Sequence, residues 1–128
     1  MTERILPTPP QTPESAAFFA AAADNKFLLR RCTACGRAHW YPRAVCPFCF
    51  GATAWEEASG RGVIYSFSVM RRTEPQYAIA YVTLDEGPTM MTNLVQCDFD
   101  ALRIGQSVRL VFVPSDGGVP VPCFRPAP

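Results

Sequence analysis

Histidine is almost missing from this chain: His39 is the only one. A catalytic site normally needs a nucleophile, a base and a group that stabilises charge within reach of one another. One histidine and eleven acidic residues, five of them (Asp85, Glu86, Asp98, Asp100, Asp116) in segments that read as turns, supply little of that. Turn carboxylates usually cap backbone N–H groups or face solvent. No phosphate loop and no glycine-rich dinucleotide fingerprint is present. Long apolar runs are lacking too. The longest, Ala16 to Ala23, falls far short of the ~20 residues a membrane-spanning helix needs. It has no basic leader or cleavage-site context, so a cytoplasmic location is the default expectation and membrane association is not expected. The formal net charge of +1 is too small for a strong nucleic-acid binder.

What is present suits one small folded unit. The chain has 128 residues, 48% of them apolar and 18% charged, which is enough for a core and too little charge for disorder. The thirteen prolines concentrate at the two ends, which should be extended or loop-like. Charge is uneven along the chain. Residues 1–72 hold nine basic and five acidic side chains, net +4, and residues 73–128 hold three and six, net −3. The front half can attract an anion or an acidic partner.

The strongest signal is the cysteine spacing. Cys32-Thr33-Ala34-Cys35-Gly36 is followed, after ten intervening residues, by Cys46-Pro47-Phe48-Cys49. Two C-x-x-C turns of this kind aim four thiolates at one point, the arrangement of a structural zinc ribbon. Gly36 supplies the positive φ that closes the first turn. Phe50 stands where the second turn would use glycine, so that turn is expected to differ slightly. Disulfides would need an oxidising compartment, and a redox motif would not need two copies. Iron could occupy the same four thiolates. Four cysteines leave no open position for water, so the metal is expected to fasten the segment rather than to catalyse. His39 then reads as a ribbon surface residue. Cys97 and Cys123 read as small buried or half-buried side chains.

The remaining segments fall into order around this signal. Residues 1–25 read as a proline-rich arm and a short helix. Thr12 is the expected N-cap, Pro13 the first helical residue, and Asp24-Asn25 the end. Such a short helix must dock, either on its own domain or on a partner through Phe18 and Phe19. Residues 26–58 form the ribbon. Residues 59–128 form a barrel with a C-terminal tail, entered through a hinge-like Ser59-Gly60-Arg61-Gly62. In the first strand, Gly62 to Met70, alternation places Val63, Tyr65, Phe67 and Val69 on one face. Tyr77 to Leu84 is apolar on both faces, so it is buried on both sides or lies against a neighbour. Further strands are expected over Thr89 to Val95, Ser107 to Val113 and near Val121 to Arg125, with a helical turn capped by Asp98. The fold class is mainly β: a short N-terminal helix, a rubredoxin-like zinc ribbon and a five-stranded OB-fold barrel.

This order resembles the acyl-CoA-associated zinc-ribbon/OB-fold family, long known as a domain of unknown function. The resemblance is carried by Phe27 to Cys32, by Tyr41-Pro42-Arg43 before Cys46-Pro47-Phe48-Cys49, and by Ser59 to Phe67. Leu84 to Gly87, Met91 to Val95, Arg103-Ile104-Gly105 and Phe124-Arg125-Pro126 extend it. Phe50 and Gln96, where a small residue is usual, depart from the pattern. The resemblance implies a non-catalytic zinc-binding subunit that accompanies a thiolase-like or acyltransferase enzyme, stabilises it and helps frame an acyl-CoA site shared with it. Arg30, Arg31, Arg43, Arg61, Arg71 and Arg72 are candidates for CoA phosphates or for the partner, with Arg37 beside them, because arginine forks suit phosphate. A solvated basic face is the plainer alternative. Phe18, Phe19, Trp40, Tyr41 and Trp55 are candidates for an apolar docking patch; the plainer alternative is that Trp40 and Trp55 pack the ribbon onto the barrel. Single-stranded nucleic-acid binding is the competing reading. It is disfavoured by an acidic barrel half whose aromatics alternate as core residues do.

Overall fold

The computed structural model describes residues 4–128. The first three residues of the expected arm lie outside the described residues. One helix, α1 (Ala16–Ala23), precedes a three-stranded sheet of β1 (Leu28–Cys32), β2 (Ala38–His39) and β3 (Thr53–Glu57) in the order β2-β1-β3. A closed barrel follows, built from β4 (Arg61–Met70), β5 (Tyr77–Leu84), β6 (Thr89–Leu94), β7 (Ser107–Pro114) and β8 (Pro120–Pro126). Its strand order β4-β5-β6-β8-β7 closes through β4 and β7. All barrel pairings are antiparallel except β6 with β8, which meet in parallel at Leu94 and Phe124. This is the five-stranded OB topology expected from the sequence.

The helix begins later than its sequence suggests. Thr12 and Ser15 close a leading turn instead. Thr12 N donates to Ser15 Oγ at 2.9 Å, and Ser15 N donates to the Thr12 carbonyl at 3.0 Å. Glu14 is drawn off the helix end and accepts from Ala44 N at 2.7 Å, which pins the helix to the ribbon. Asn25, at φ 61°, ends the helix while Lys26 N donates to the Ala21 carbonyl at 2.9 Å. Ser15, Phe18, Phe19 and Ala22 share the buried face, so the helix docks on its own chain. Phe18 meets Trp40 of the ribbon at 5.2 Å between ring centroids and Phe112 of the barrel at 6.5 Å. Phe27 meets Trp40 at 6.1 Å, Phe112 at 6.4 Å and Phe124 at 6.5 Å. Trp40 and Trp55 also pack on this core. Trp40 and Trp55 thus take the packing reading, with Phe18 and Phe19 buried beside them, while Tyr41 stays 37% exposed.

The alternation in β4 is broken. A β-bulge between Ile64 and Ser66 shifts the register. Ile64 N donates to the Gln106 carbonyl and Gly105 N donates to the Ile64 carbonyl, at 3.0 and 2.8 Å. Before the bulge Ile64 points in, while Val63 and Tyr65 point out; after it Phe67 and Val69 turn to the core. The expectation of one shared face for Val63, Tyr65, Phe67 and Val69 is therefore corrected, because a bulge inverts the pleat. In β5, Ala78, Ala80, Val82 and Leu84 fill the barrel, while Tyr81 stands out at 49% exposure.

The arm and the ribbon–barrel connection are tied down. The arm packs Leu6 into the protein, and Asp116 N donates to its carbonyl at 2.9 Å. The Asp116 carboxylate accepts from both the N–H and the hydroxyl of Thr8, and Gly117 N donates to that hydroxyl at 2.9 Å. The Thr8 hydroxyl, with burial opposing and the N–H groups of Thr8 and Gly117 adding, holds the Asp116 carboxyl below its usual range. At the expected hinge, Glu86 accepts from Ser59 N at 2.8 Å and the Gly60 carbonyl accepts from Leu110 N at 2.7 Å. The connection is a fixed crossing.

Phe18→Ala is expected to cost about 3–5 kcal/mol of folding stability in urea denaturation, the usual range for an emptied aromatic core position. A loss under 1 kcal/mol would mean that the ring is not a core element.

Candidate metal centre

The first knuckle is a turn at the end of β1, and the second is a turn closed at its base by an isolated β-bridge between Val45 and Ala52. Gly36 N donates to the Cys32 carbonyl at 3.1 Å, and Phe50 N donates to the Cys46 carbonyl at 2.9 Å. The N–H groups of Ala34 and Cys35 point at Cys32 Sγ, both at 3.3 Å, and Phe48 N points at Cys46 Sγ at 3.4 Å. Gly36 has φ 76° and Phe50 has φ 66°. The second turn is thus not altered as expected: Phe50 is held in the left-handed region that glycine occupies in the first. Gly51 is needed for a different reason. A Cβ there would lie 3.1 Å from Ala34 Cβ, 3.2 Å from Cys32 Sγ and 3.3 Å from Cys49 Sγ.

The ligand atoms of Cys32, Cys35, Cys46 and Cys49 all lie within 4.8 Å of one another. Cys32 and Cys49 sulfurs are 3.4 Å apart, and those of Cys35 and Cys46 are 3.7 Å apart. A disulfide requires about 2.05 Å. Four sulfurs about 2.3 Å from one zinc ion would be about 3.8 Å apart. The donor set therefore fits one soft or borderline metal ion and does not fit two disulfides. The thiols are unequal before a metal is considered. The Cys35 N–H, against burial and with help from the Ala34 N–H, brings Cys32 down to about 6. The Gly51 N–H pulls Cys49 down, but Cys32, burial, Cys35 and Cys46 together push it up to about 11. Binding a cation displaces the protons that remain, so affinity falls as pH falls.

His39 is buried, at 3% exposure, rather than a surface residue. Its Nε2 accepts from Arg43 N at 3.2 Å, and its Nδ1 is buried without a protein partner. It lies outside the sulfur group. Burial pushes its pKa below the ordinary 6.5, and the charges of Arg43 and Arg30 push the same way. Cys123 is fully buried and its thiol is pushed up to about 12 by burial. Cys97 is half-buried, and burial raises its pKa as well, followed by the charge of Asp98.

The arginines are spread over several environments. Arg30 lies over Trp55, 4.2 Å from the ring centroid, and donates to the Thr53 carbonyl at 3.0 Å. Arg31 pairs with Glu56 at 2.8 Å and donates to the Gly36 carbonyl at 2.7 Å. Arg61 faces Asp85 at 3.5 Å, and Arg71 pairs with Asp100 at 2.8 Å. Arg37 stacks on Phe48, with 3.5 Å between the guanidinium carbon and the ring centroid. Arg43 and Arg72 are exposed. A cavity of about 370 Å³ opens at one end of the barrel, and of these arginines only Arg71 lines it, with Arg4, Gln76, Tyr77, Asn93 and Cys97. Nothing in the spacing of those residues announced the cavity, since arm, loop and strand ends meet there only in the fold. Gln96 has φ 53°, a left-handed conformation, and its Oε1 accepts from Arg125 at 3.1 Å.

A four-sulfur ribbon joined to an OB barrel defines a class of small metal-fastened β proteins. Family profiles narrow it. One described as "ChsH2, rubredoxin-like zinc ribbon domain" matches residues 19–56, and another, "ChsH2, C-terminal OB-fold domain", matches residues 55–113. A DUF35 domain-containing scaffold protein of Methanothermobacter thermautotrophicus is 34% identical over 90 residues, covering 64% of this chain and 68% of that protein. A probable enoyl-CoA hydratase alpha subunit of Thermomonospora curvata is 35% identical over 130 residues, covering 96% of this chain. This chain spans 40% of that protein's length. The solved structure "Ltp2-ChsH2(DUF35) aldolase" superposes with a TM-score of 0.81 at 33% identity, covering 94% of this chain and all of the matched one. The chain belongs to the DUF35 family of zinc-ribbon/OB-fold proteins.

Cys46→Ser is expected to lose the bound metal, read by inductively coupled plasma mass spectrometry, whereas Gly51→Ala should keep a metal with weakened affinity. A Gly51→Ala protein as tight as the wild type would show that the sulfurs have room to spare. For His39, the folded form holds the neutral ring, while the unfolded chain takes up a proton near pH 6.5. Its contribution is therefore present above that pH and lost as pH falls toward the lowered value. Thermal unfolding of wild type should drop from pH 7.5 to 5.5 more steeply than that of His39→Gln. Equal slopes would contradict the assignment.

Proposed function

We propose that this chain is a non-catalytic, zinc-fastened accessory subunit of a cytoplasmic acyl-CoA enzyme, a thiolase-like or acyltransferase partner that carries the chemistry. The observation that carries the reading is the cluster itself: four convergent sulfurs use every position of a tetrahedral ion and leave none for a substrate. Cys32, Cys35, Cys46 and Cys49 would hold the zinc, which would supply a cross-link between two turns. Relatives support the assignment of roles. The archaeal one is named a scaffold protein, the actinobacterial one an enoyl-CoA hydratase subunit, and the superposed structure is named an aldolase of Ltp2 with ChsH2(DUF35). An accessory subunit also needs surface to offer. The outer face of β4, β5 and β6 presents Val63, Tyr65, Tyr81 and Met91, exposed by 40 to 67%. An acyl-CoA shared with the partner could reach Arg43 and Arg72, which have no carboxylate partner among the described residues.

One observation favours the nucleic-acid reading. Tyr65 and Tyr81 are not core residues, as their alternation suggested, but stand on the barrel face with which OB folds hold oligonucleotides. That face lacks a continuous basic groove to track a phosphate backbone: Val63, Tyr65, Tyr81, Thr83, Thr89 and Met91 carry no charge, and the cations at its edge are Arg61, which faces Asp85, and Arg109. The accessory reading is the better supported.

The chain purified from its own host should arrive with an acyl-CoA enzyme, show a defined complex mass, and turn over no acyl-CoA alone. Omitting the chain should lower the partner's stability or activity at least several-fold. A chain that purifies alone and binds single-stranded DNA with a steep salt dependence would overturn the proposal.

A further inference from the structure

Phe50 carries two costs, and nothing within its own chain calls for a phenylalanine at this turn position. Its backbone sits at φ 66°, a left-handed conformation that a β-carbon disfavours. Its ring, 82% exposed, is the most solvent-exposed large apolar side chain among the described residues. The matching position of the first knuckle is Gly36, which carries neither cost. The turn requires the left-handed backbone but not a phenylalanine in it, and a bulky residue held in that region is a signature of a functional position. The neighbourhood supports this. Val45 and Phe48 on the same turn are 53% and 48% exposed, and Arg37 lies flat on the Phe48 ring. From Cys32 to Ala54 the chain has Arg37 and Arg43 and no carboxylate at all. The tip of the ribbon is thus an aromatic knob whose own charged side chains are cations; Glu14 of the helix also reaches this end, where the Ala44 N–H engages its carboxylate at 2.7 Å.

We infer that the second knuckle, through Phe50 with Phe48 and Val45, is the plug by which this subunit docks on its enzyme partner. The inference rests on the accessory-subunit reading and adds the surface to it. The charge pattern specifies the socket: an apolar pocket on the partner that takes the Phe50 ring, rimmed by carboxylates that meet Arg37 and Arg43. Aromatic anchors in such pockets carry most of an interface's energy, and the rim charges govern the rate of encounter. A phosphate-bearing strand fits less well, because only two cations flank the knob and one of them is already stacked on Phe48.

The placement makes an unusual demand on one substitution. Phe50→Gly relieves the backbone and removes the plug, so it should raise the melting temperature while weakening the complex. Phe50→Asn, tolerated in the left-handed region, removes the ring while the turn keeps its shape. Tagged wild type, Phe50→Gly, Phe50→Asn and Arg37→Glu/Arg43→Glu would be incubated with extract of the source cells. The captured enzyme subunit would be identified and quantified by mass spectrometry. The expected result is at least a ten-fold loss of the enzyme for both Phe50 variants, retained zinc in all proteins, and a slower association for the double arginine variant. Capture by the Phe50 variants equal to wild type overturns the docking inference and leaves the accessory reading standing. Absence of any acyl-CoA enzyme from the wild-type capture overturns both. Wild-type binding to a single-stranded DNA probe that is lost with Phe50 assigns the ring to base stacking and overturns the inference as well.

Discussion

The ribbon depends on four sulfurs meeting. Strip them away and little holds residues 33 to 52 in place. Between Thr33 and Ala52 the buried side chains are Ala38, His39, Pro42 and Cys46, and one of these is polar. Segments of this size cannot bury enough apolar surface to fold alone, and a metal cross-link supplies what a core would. The local design follows from that dependence. Backbone N–H groups are turned toward sulfur, and Gly51 keeps the sulfurs' flank free of a side chain.

The fastened ribbon is then coupled to the rest. Trp40 follows His39 directly in the chain, and its ring meets Phe18 and Phe27, which in turn meet Phe112 of the barrel. Glu14 reaches from the helix to the Ala44 N–H beside the second knuckle. Metal, helix and barrel therefore share one set of contacts. A disturbance at the sulfurs is felt by the aromatic core, while the exposed tip stays presented at a fixed place. A scaffold works in this way, since it contributes shape and position rather than a reacting group.

Much of this was legible in the sequence because its signals are local. Two C-x-x-C turns, the alternating runs and the turn residues at Asp85 to Pro88 and Asp116 to Gly118 each depend on neighbours a few places away. The misreadings share the opposite character. The bulge at Ile64 is fixed by hydrogen bonds to Gly105 and Gln106, forty residues on, so alternation alone could not show that Tyr65 faces out. Ser15 replaced Thr12 at the helix start because the leading turn closes on itself and Glu14 is claimed by Ala44. His39 looked like surface until β1 covered it through its pairing with Arg30. The arginines looked like one basic patch because they crowd one half of the chain. In the fold, Glu56, Asp85 and Asp100 take three of them singly.

Zinc K-edge X-ray absorption on the purified, metal-loaded protein addresses the arrangement at its root. The account requires a single shell of four sulfur scatterers at about 2.3 Å and one metal per chain. A shell containing a nitrogen or oxygen neighbour, from His39 or from water, would mean an open or mixed centre and would contradict the reading of this chain as a fastened scaffold.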